Sequence, residues 1–231
     1  EALNSFTFAA VGKNTKVSYL EALAGLDDSY EFFGGAVDAD HLVSYEAGDD
    51  HFDMSEGYVG RLQYLIGFQS TQLAQRTGAG SPSTDPQGIE NDGCNGTFCT
   101  NNFNTTPFTI PIVANFTLVG TGSTASAGSA GGIGMMLRRG TGGYYVNGIV
   151  ARWPRFGVSL RDQDTFVRAG SAATPDLTTA ELALKNVLFV ETPTVFEPTG
   201  ANTQNAFDLA TNVLSQNTTA TTSSLFVKFP A

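Results

Sequence analysis

Two stretches that repeat one acidic pattern decide the fold: "GLDDSYEFFGG" at 25–35 and "GDDHFDMSEG" at 48–57. In each, an Asp-Asp pair is followed by an acidic residue three positions later, and the pattern recurs after 22 residues. A side-chain pattern with a fixed period of this size is typical of solenoids rather than of hairpin proteins. Coils of a parallel β-helix stack at ~4.8 Å, so equivalent residues lie directly above one another. The pairs expected to stack are Asp27/Asp49, Asp28/Asp50 and Glu31/Asp53.

The rest of the sequence favours an all-β protein. Charged residues make up only 15% of the chain, glycine is abundant at 26 residues, and short apolar runs alternate with polar turns. A β-sandwich would also fit these strands, but the acidic repeat favours a right-handed parallel β-helix over residues 1–175. The strands are predicted at 15–23, 29–35, 41–45, 61–68, 108–120, 132–140, 144–153 and 156–162.

Three other segments depart from the coil pattern. Residues 69–107 and 121–132 are rich in Gly, Ser, Thr and Pro and are predicted to be loop excursions from the coil surface. Residues 176–231 are predicted to form a short, partly helical C-terminal cap. Apolar residues at helical spacing place helices at 178–189 and 203–217, followed by a final short strand or tail at 223–230.

Stacked carboxylates need an explanation. Two like charges ~5 Å apart repel by about 3 kcal/mol at an effective dielectric near 20. Between Glu21 and Glu56 there are eleven acidic residues and no Lys or Arg. One interpretation is a calcium site, because one Ca²⁺ can bridge carboxylates of adjacent coils; the other is a solvated acidic turn that caps backbone amides. The candidate metal ligands are Asp27, Asp28, Glu31, Asp49, Asp50, Asp53 and Glu56.

The chain resembles a family of secreted bacterial parallel β-helix repeat proteins, which includes uncharacterised lipoproteins and cell-surface proteins. The resemblance covers roughly residues 6–165. Its most specific parts are D-D-x-x-E-F-F-G-G, D-D-x-x-D-x-x-E-G, "GIEND" at 88–92 and "LRRGT" at 137–141. It implies the right-handed β-helix fold and transfers no activity. In that family the comparable region follows further upstream coils, so we expect the chain to begin at an interior coil.

Charge and cysteine content limit the partners and the compartment. The net charge of −10 makes nucleic acid an unfavourable partner, and no apolar run approaches the ~20 residues of a membrane span. Cys94 and Cys99 are close enough for a local disulfide. Together with the low lysine content, this pair favours a secreted or cell-surface protein.

Two functions remain open. The first is a non-catalytic surface or structural protein, such as an adhesin, envelope or filament component, that associates with itself or another chain at the open end of the solenoid. The second is a polysaccharide-active or glycan-binding domain that uses the acidic coils 27–56. Aromatic side chains near these coils could stack on sugars or simply pack between coils; they are Tyr30, Tyr45, Phe52 and Tyr58.

Further ligand contacts are predicted outside the acidic coils. Arg138 and Arg139 could neutralise an anionic ligand or pair with the acidic coils, and Glu90 and Asp92 are candidate contacts beside them. His51 could serve as a metal ligand or acid/base group, or be an ordinary turn histidine, since no second histidine lies at ligand spacing. No nucleophile elbow, P-loop or H-E-x-x-H motif is present.

Overall fold

A computed structural model describes residues 3–94, 106–124, 131–169, 180–198 and the backbone of 218–220. The described residues form thirteen strands and one short helix, α1 (Gln163–Arg168). The strands in chain order are β1 (Phe6–Ala9), β2 (Lys16–Leu23), β3 (Tyr30–Phe33), β4 (Asp38–Tyr45), β5 (Phe52–Ser55), β6 (Arg61–Phe68), β7 (Ile89–Asp92), β8 (Ile112–Val119), β9 (Ile133–Arg138), β10 (Gly143–Ala151), β11 (Phe156–Leu160), β12 (Leu182–Val190) and β13 (Thr218–Ala220).

The strands alternate between two parallel sheets. Sheet A has the order β1-β3-β5-β7-β9-β11, and sheet B has the order β13-β12-β10-β8-β6-β4-β2. Each coil therefore adds one strand to each sheet, and each strand pairs with the equivalent strand of the next coil. The predicted all-β parallel β-helix is confirmed. Right-handed winding is the hand that parallel crossover connections adopt in nearly all proteins.

The acidic repeat corresponds to one coil, as predicted. Glu31 of β3 is directly paired with Asp53 of β5, and the backbone N–H of Asp49 donates to the carbonyl of Asp27 at 3.3 Å. The two Asp-Asp pairs therefore lie in vertical register.

Left-handed residues define the corners of each coil. The thirteen non-glycine residues with positive φ among the described residues fall into three columns. The first follows the sheet A strands (Ala10, Glu56, Arg139), and the third follows the sheet B strands (Ala24, Glu46, Arg152, Glu191). The second column, called the bend column, lies within the sheet B strands and folds that sheet into two faces. Its members are Tyr19, His41, Tyr64, Asn115, Asn147 and Asn186.

The core runs along the axis between the sheets. Inward-facing aromatic residues stack from coil to coil, as in the column of Phe6, Tyr30 and Phe52, whose ring centroids are 5.2 and 5.4 Å apart. Tyr30 and Phe52 are fully buried, and Trp153 closes the core beside His51. Because inward and outward residues alternate along each strand, the same pattern leaves the acidic residues on the outer face of sheet A.

The predicted helix at 178–189 is wrong, because this segment contains β12. Leu182 and Leu184 are buried at a spacing of two, as in a strand. The left-handed bend at Asn186 then shifts the alternation, so that Val187 and Phe189 are buried instead. The resulting spacing of buried residues, at 182, 184, 187 and 189, resembles that of an amphipathic helix, which explains the wrong prediction.

The boundary expected at residue 175 does not coincide with the end of the β-helix, because β12 pairs with β10 beyond it. The structure also shows α1, which the sequence reasoning missed. The predicted helix at 203–217 and the predicted tail at 223–230 lie outside the described residues, apart from β13 between them.

The predicted excursion at 69–107 is also corrected. It contains β7, which pairs with β5 and β9 in sheet A, so the segment is not one continuous excursion. The second excursion, 121–132, lies between β8 and β9, where a loop was predicted; its residues 125–130 are outside the described part of the chain.

Candidate functional site

A groove of about 570 Å³ runs along the outer face of sheet A and its preceding turns. Glu31, Asp53 and Glu90 form its floor on three successive coils, because each is paired with the next in the parallel register. We call it the acidic groove. Its other polar lining residues are Asn4, Thr7, Asp27, Asp28, Asp49, Asp50, Asp85, Asp92, Arg138 and Arg139.

The turns before the strands are joined by side-chain hydrogen bonds. Asp28 Oδ1 accepts from the backbone N–H of Asp50 at 2.9 Å, and Asp50 Oδ1 accepts from the N–H of Gln87 at 3.0 Å. Gln87 Oε1 continues the series by accepting from the N–H of Ile133 at 2.9 Å. This series, called the turn ladder, fixes the position of each turn on the next. Each aspartate uses one carboxylate oxygen for it and retains a second.

Six of the seven predicted metal ligands meet in the acidic groove. Together with Glu90 they form three overlapping groups in which each residue offers an oxygen within 4.8 Å of those of the others. A single Ca²⁺ with oxygen ligands at 2.3–2.6 Å spans about this distance between opposite ligands. The groups are Asp27/Asp28/Asp49, Asp28/Glu31/Asp53 and Asp50/Asp53/Glu90.

Asp53 lies between Glu31 and Glu90 on the floor of the groove, and like Asp28 it belongs to two of the three groups. Its Oδ1 atom is buried and has no hydrogen-bond partner. A buried carboxylate oxygen without a donor is unfavourable unless it is protonated or coordinates a cation. The groove therefore contains an unsatisfied acceptor at the position where carboxylates converge.

Burial and mutual repulsion raise the pKa values of these carboxyls. Burial raises the pKa of Asp28 to about 8, with repulsion from Asp49 adding to it. Burial also raises the pKa values of Glu31, Asp49 and Glu90 to about 7. The pKa of Asp53 is raised well above its ordinary value by burial and by neighbouring acids. Near neutral pH the groove thus holds protons that a divalent cation would displace.

Arginines close the groove at the fifth coil. Arg138 binds Glu90 and also Asp92, the latter through Nε at 2.8 Å, and Arg139 binds the other oxygen of Asp92. Asp92 is almost fully buried, while both arginine side chains remain more than a quarter exposed. The arginines were predicted to neutralise an anionic ligand or to pair with the acidic coils 27–56; the described ion pairs are instead with Glu90 and Asp92 of β7. The exposed parts of both guanidinium groups face the groove that they line.

Two predicted site residues lie elsewhere. Glu56 follows β5 at the opposite end of the strand and belongs to none of the three groups; its Oε2 is 3.8 Å from Cys94 Sγ. His51 points into the core, where it is fully buried and contacts Ser44 through Nδ1. Burial lowers the pKa of His51 to about 3, so it is a neutral core residue rather than an acid/base group in the groove.

Of the two roles considered for the four aromatic side chains, packing between coils is the one that three of them adopt. Tyr30, Phe52 and Tyr58 are fully buried in the core, and Tyr45 is exposed on sheet B. Inward alternation places them between coils, the alternative that the sequence left open. The predicted Cys94–Cys99 pairing stays a prediction, since Cys94 is buried and Cys99 lies outside the described residues.

Sequence reasoning missed some residues of the site. Asp85 and Asn4 join the groove from a loop and from the segment before β1, where no local pattern marks them. The aromatic half of the bend column was missed as well. The sequence does contain a pattern that could have revealed these residues, because Tyr19 and His41 are separated by the same 22 residues as the acidic pairs.

Comparison with known proteins defines the class of protein. A family model described as a pectate-lyase-like β-helix domain matches residues 1–228. The chain therefore belongs to the family of pectate-lyase-like β-helix domains. No curated protein and no solved structure matches it. Among the described residues, no helix is long and apolar enough to cross a membrane.

Proposed function

We propose that this chain is a secreted or cell-surface β-helix domain that binds acidic polysaccharide through calcium held in the acidic groove, without cleaving it. The observation that carries the proposal is that two of the three carboxylate groups meet at Asp53, whose buried Oδ1 has no hydrogen-bond partner. The cysteine pair and the low lysine content support the extracellular location.

Calcium suits the donor set better than other common cations. All the candidate ligands are carboxylate oxygens, which Ca²⁺ prefers and which thiolate- or imidazole-selecting metals do not require. Flexible coordination would let one ion bind carboxylates of two coils and still accept ligand oxygens from outside. An acidic sugar chain supplies such oxygens, and it would otherwise be repelled by the groove.

The acidic groove is lined by carboxylates at one end and by arginines at the other, and both ends can bind an anionic chain. Carboxylates dominate coils two to four, where an anion needs a bridging cation. Arg138 and Arg139 follow at coil five, where a ligand carboxylate can be bound directly by guanidinium groups.

Cleavage is a second candidate that one observation favours. Glu31 and Glu90 have pKa values of about 7, which suits general acid/base work near neutral pH. Paired carboxylates of this kind are the groups that glycoside hydrolysis uses. We prefer binding because calcium would occupy these same carboxylates.

Affinity electrophoresis in gels containing polygalacturonate tests the proposal. Retardation in the presence of calcium, lost with chelator and in Asp53→Asn, is the expected result. Asp40→Asn is the matched control, since Asp40 lies on sheet B outside the groove. Equal migration with and without calcium would reject the proposal. Release of reducing ends or unsaturated products in a parallel incubation would establish the enzymatic alternative.

The first coil provides a surface for a protein partner. β1 and β2 each have one strand neighbour among the described strands, and the other edge of each can pair with a strand of a further coil. Tyr19 and Leu23 are highly exposed on the same coil. We propose that this edge pairs with another β-coil, from a second copy or another chain.

A further inference from the structure

A second groove, of about 530 Å³, lies on sheet B. It is built from two parallel columns that span four coils. The wall is the first part of the bend column, and the floor is the neighbouring outward column, whose members pair in register. The wall consists of Tyr19, His41, Tyr64 and Asn115, and the floor of Glu21, Val43, Ile66 and Thr117.

The bend column carries aromatic residues only in the first three of the four coils that the groove spans. The ring of Tyr19 stacks on that of His41 with centroids 4.4 Å apart, and the ring of Tyr64 lies 4.7 Å from that of His41 and is tilted by 34°. From the fourth coil onward the column changes to asparagine, and Asn147 Nδ2 donates to Asn115 Oδ1 at 3.4 Å. Asn186 Nδ2 donates in turn to Asn147 Oδ1 at 3.3 Å.

The aromatic residues occupy an unfavourable backbone conformation. Tyr19, His41 and Tyr64 have φ of 58°, 53° and 59°. Asparagine tolerates this left-handed region, whereas a bulky side chain there is strained. Asparagine would therefore serve the fold at least as well in the first three coils as it does in the last three. Strained residues that the fold does not require are a signature of function.

The chemistry of the lining points to an uncharged ligand. None of the lining residues is Lys or Arg, and Glu21, at one end, is the only carboxylate. The wall contributes two phenol groups and one imidazole to the lining. Val43 and Ile66 provide an apolar floor, while Asn115 and Thr117 add amide and hydroxyl groups. This combination complements a chain that has apolar C–H faces and many hydroxyls.

We propose that this groove binds a neutral glycan chain, aligned with the β-helix axis, independently of the acidic groove and of calcium. Sugar hydroxyls would bond to the phenol, amide and threonine groups of the wall and floor. The C–H surfaces of the sugars would pack on Val43 and Ile66. The lining contains no Lys or Arg side chain to pair with a sugar carboxylate, which disfavours acidic glycans here, so the two faces of the domain would select different polymers.

Calorimetric titration with cellohexaose, mannohexaose and xylohexaose tests the proposal. The native domain is expected to bind at least one of them, with or without chelator. In the double variant Tyr19→Asn/Tyr64→Asn, which extends the asparagine series, binding should weaken roughly tenfold or more. The melting temperature of this variant should not fall, which separates a ligand-binding role from a structural one.

Controls keep the result interpretable. Tyr45→Ala removes an exposed tyrosine of the same sheet outside the groove and should bind normally. Should the double variant fail to fold, Ile66→Glu provides the second test, since this floor side chain is 49% exposed and a charge there should abolish binding. Asp53→Asn should leave neutral-glycan binding unchanged. Absence of binding by the native domain, or undiminished binding by the wall and floor variants, would overturn the proposal.

Discussion

The carboxylate of Asp28 accepts a hydrogen bond from the backbone N–H of Asp50, its equivalent one coil further along, at 2.9 Å. The same carboxylate belongs to two of the three groups that could hold a cation. One side chain thus serves both coil stacking and the candidate site. Substitutions in the groove should therefore be isosteric, so that the acceptor oxygen of the turn ladder remains while the charge is removed.

Calcium should stabilise the domain near pH 8. A ligand at 100 times its Kd adds about 2.7 kcal/mol, which for a chain of this size raises the melting temperature by roughly 5–10 °C. Differential scanning fluorimetry with calcium and with chelator measures the change. The Asp53→Asn variant should lose most of this shift in melting temperature, and the Asp40→Asn variant should retain it. If calcium does not change the melting temperature of the native domain, the site is ruled out.

Without calcium, stability should fall as the pH rises from 5 to 8. The folded-state pKa values of Asp28, Glu31 and Asp49 lie near 7–8, above the unfolded values near 4. The folded state therefore binds more protons in this window, and the free energy of unfolding decreases with pH. Urea denaturation in chelator at several pH values tests this.

Asp50→Asn provides the matched variant for the pH series. The amide keeps an acceptor for the N–H of Gln87 but cannot ionise, and burial raises the pKa of the native Asp50 carboxyl well above its ordinary value. The decline in stability between pH 5 and pH 8 should be shallower in this variant. A slope identical to that of the native domain would contradict the assignment.

Arg138→Gln should destabilise the domain by about 2 kcal/mol, because it leaves Glu90 and the buried Asp92 without their shared cation. The partial exposure of Arg138 keeps this loss below that of a fully buried pair. Arg61→Gln is the control: its ion pair with Asp38 is largely exposed, and its loss should cost about 0.5 kcal/mol or less. Urea denaturation measures the free energy of unfolding of both variants. Equal losses in Arg138→Gln and Arg61→Gln would contradict the expected difference between the two ion pairs.

Gly148→Ala should destabilise β10 by roughly 2–3 kcal/mol, because a Cβ there would lie 2.1 Å from the ring of Phe116 in the neighbouring coil. Gly12→Ala is the matched comparison, since nothing lies within 4 Å of its Cβ position. Thermal melts of the two variants should differ by several degrees, and similar melts would show that the coils can shift apart at this point.

The edge of β1 should support association that a proline blocks. Phe6 and Ala10 donate their N–H groups to the second coil, so the intervening N–H of Ala9 points away from β3. Ala9→Pro should leave the fold intact and lower the oligomeric mass measured by light scattering at high concentration. A native domain that stays monomeric at every concentration would restrict the proposed partner to another chain.

Part of the candidate site follows from the sequence. The stacking of Glu31 on Asp53 was predictable because coil spacing converts a fixed sequence period into vertical contact. Asp85 and Arg138 could not be assigned to the groove in this way, because loops of unequal length interrupt the period before each of them. His51 and Asp53 are two positions apart in sequence but face opposite sides of the coil wall. His51 belongs to the turn before β5, where strand alternation does not hold, whereas Asp53 lies within β5 and points outward.

The sequence by itself determined the repeating unit and therefore the parallel β-helix, because every coil must satisfy the same alternation of inward and outward residues. It also indicated which early residues stack. Only the tertiary structure decided which carboxylates converge, that Glu56 and His51 do not join them, and that β12 is a strand. Local patterns specify which way a side chain points, whereas the meeting of distant coils depends on how long loops close, and loop closure leaves no period in the sequence.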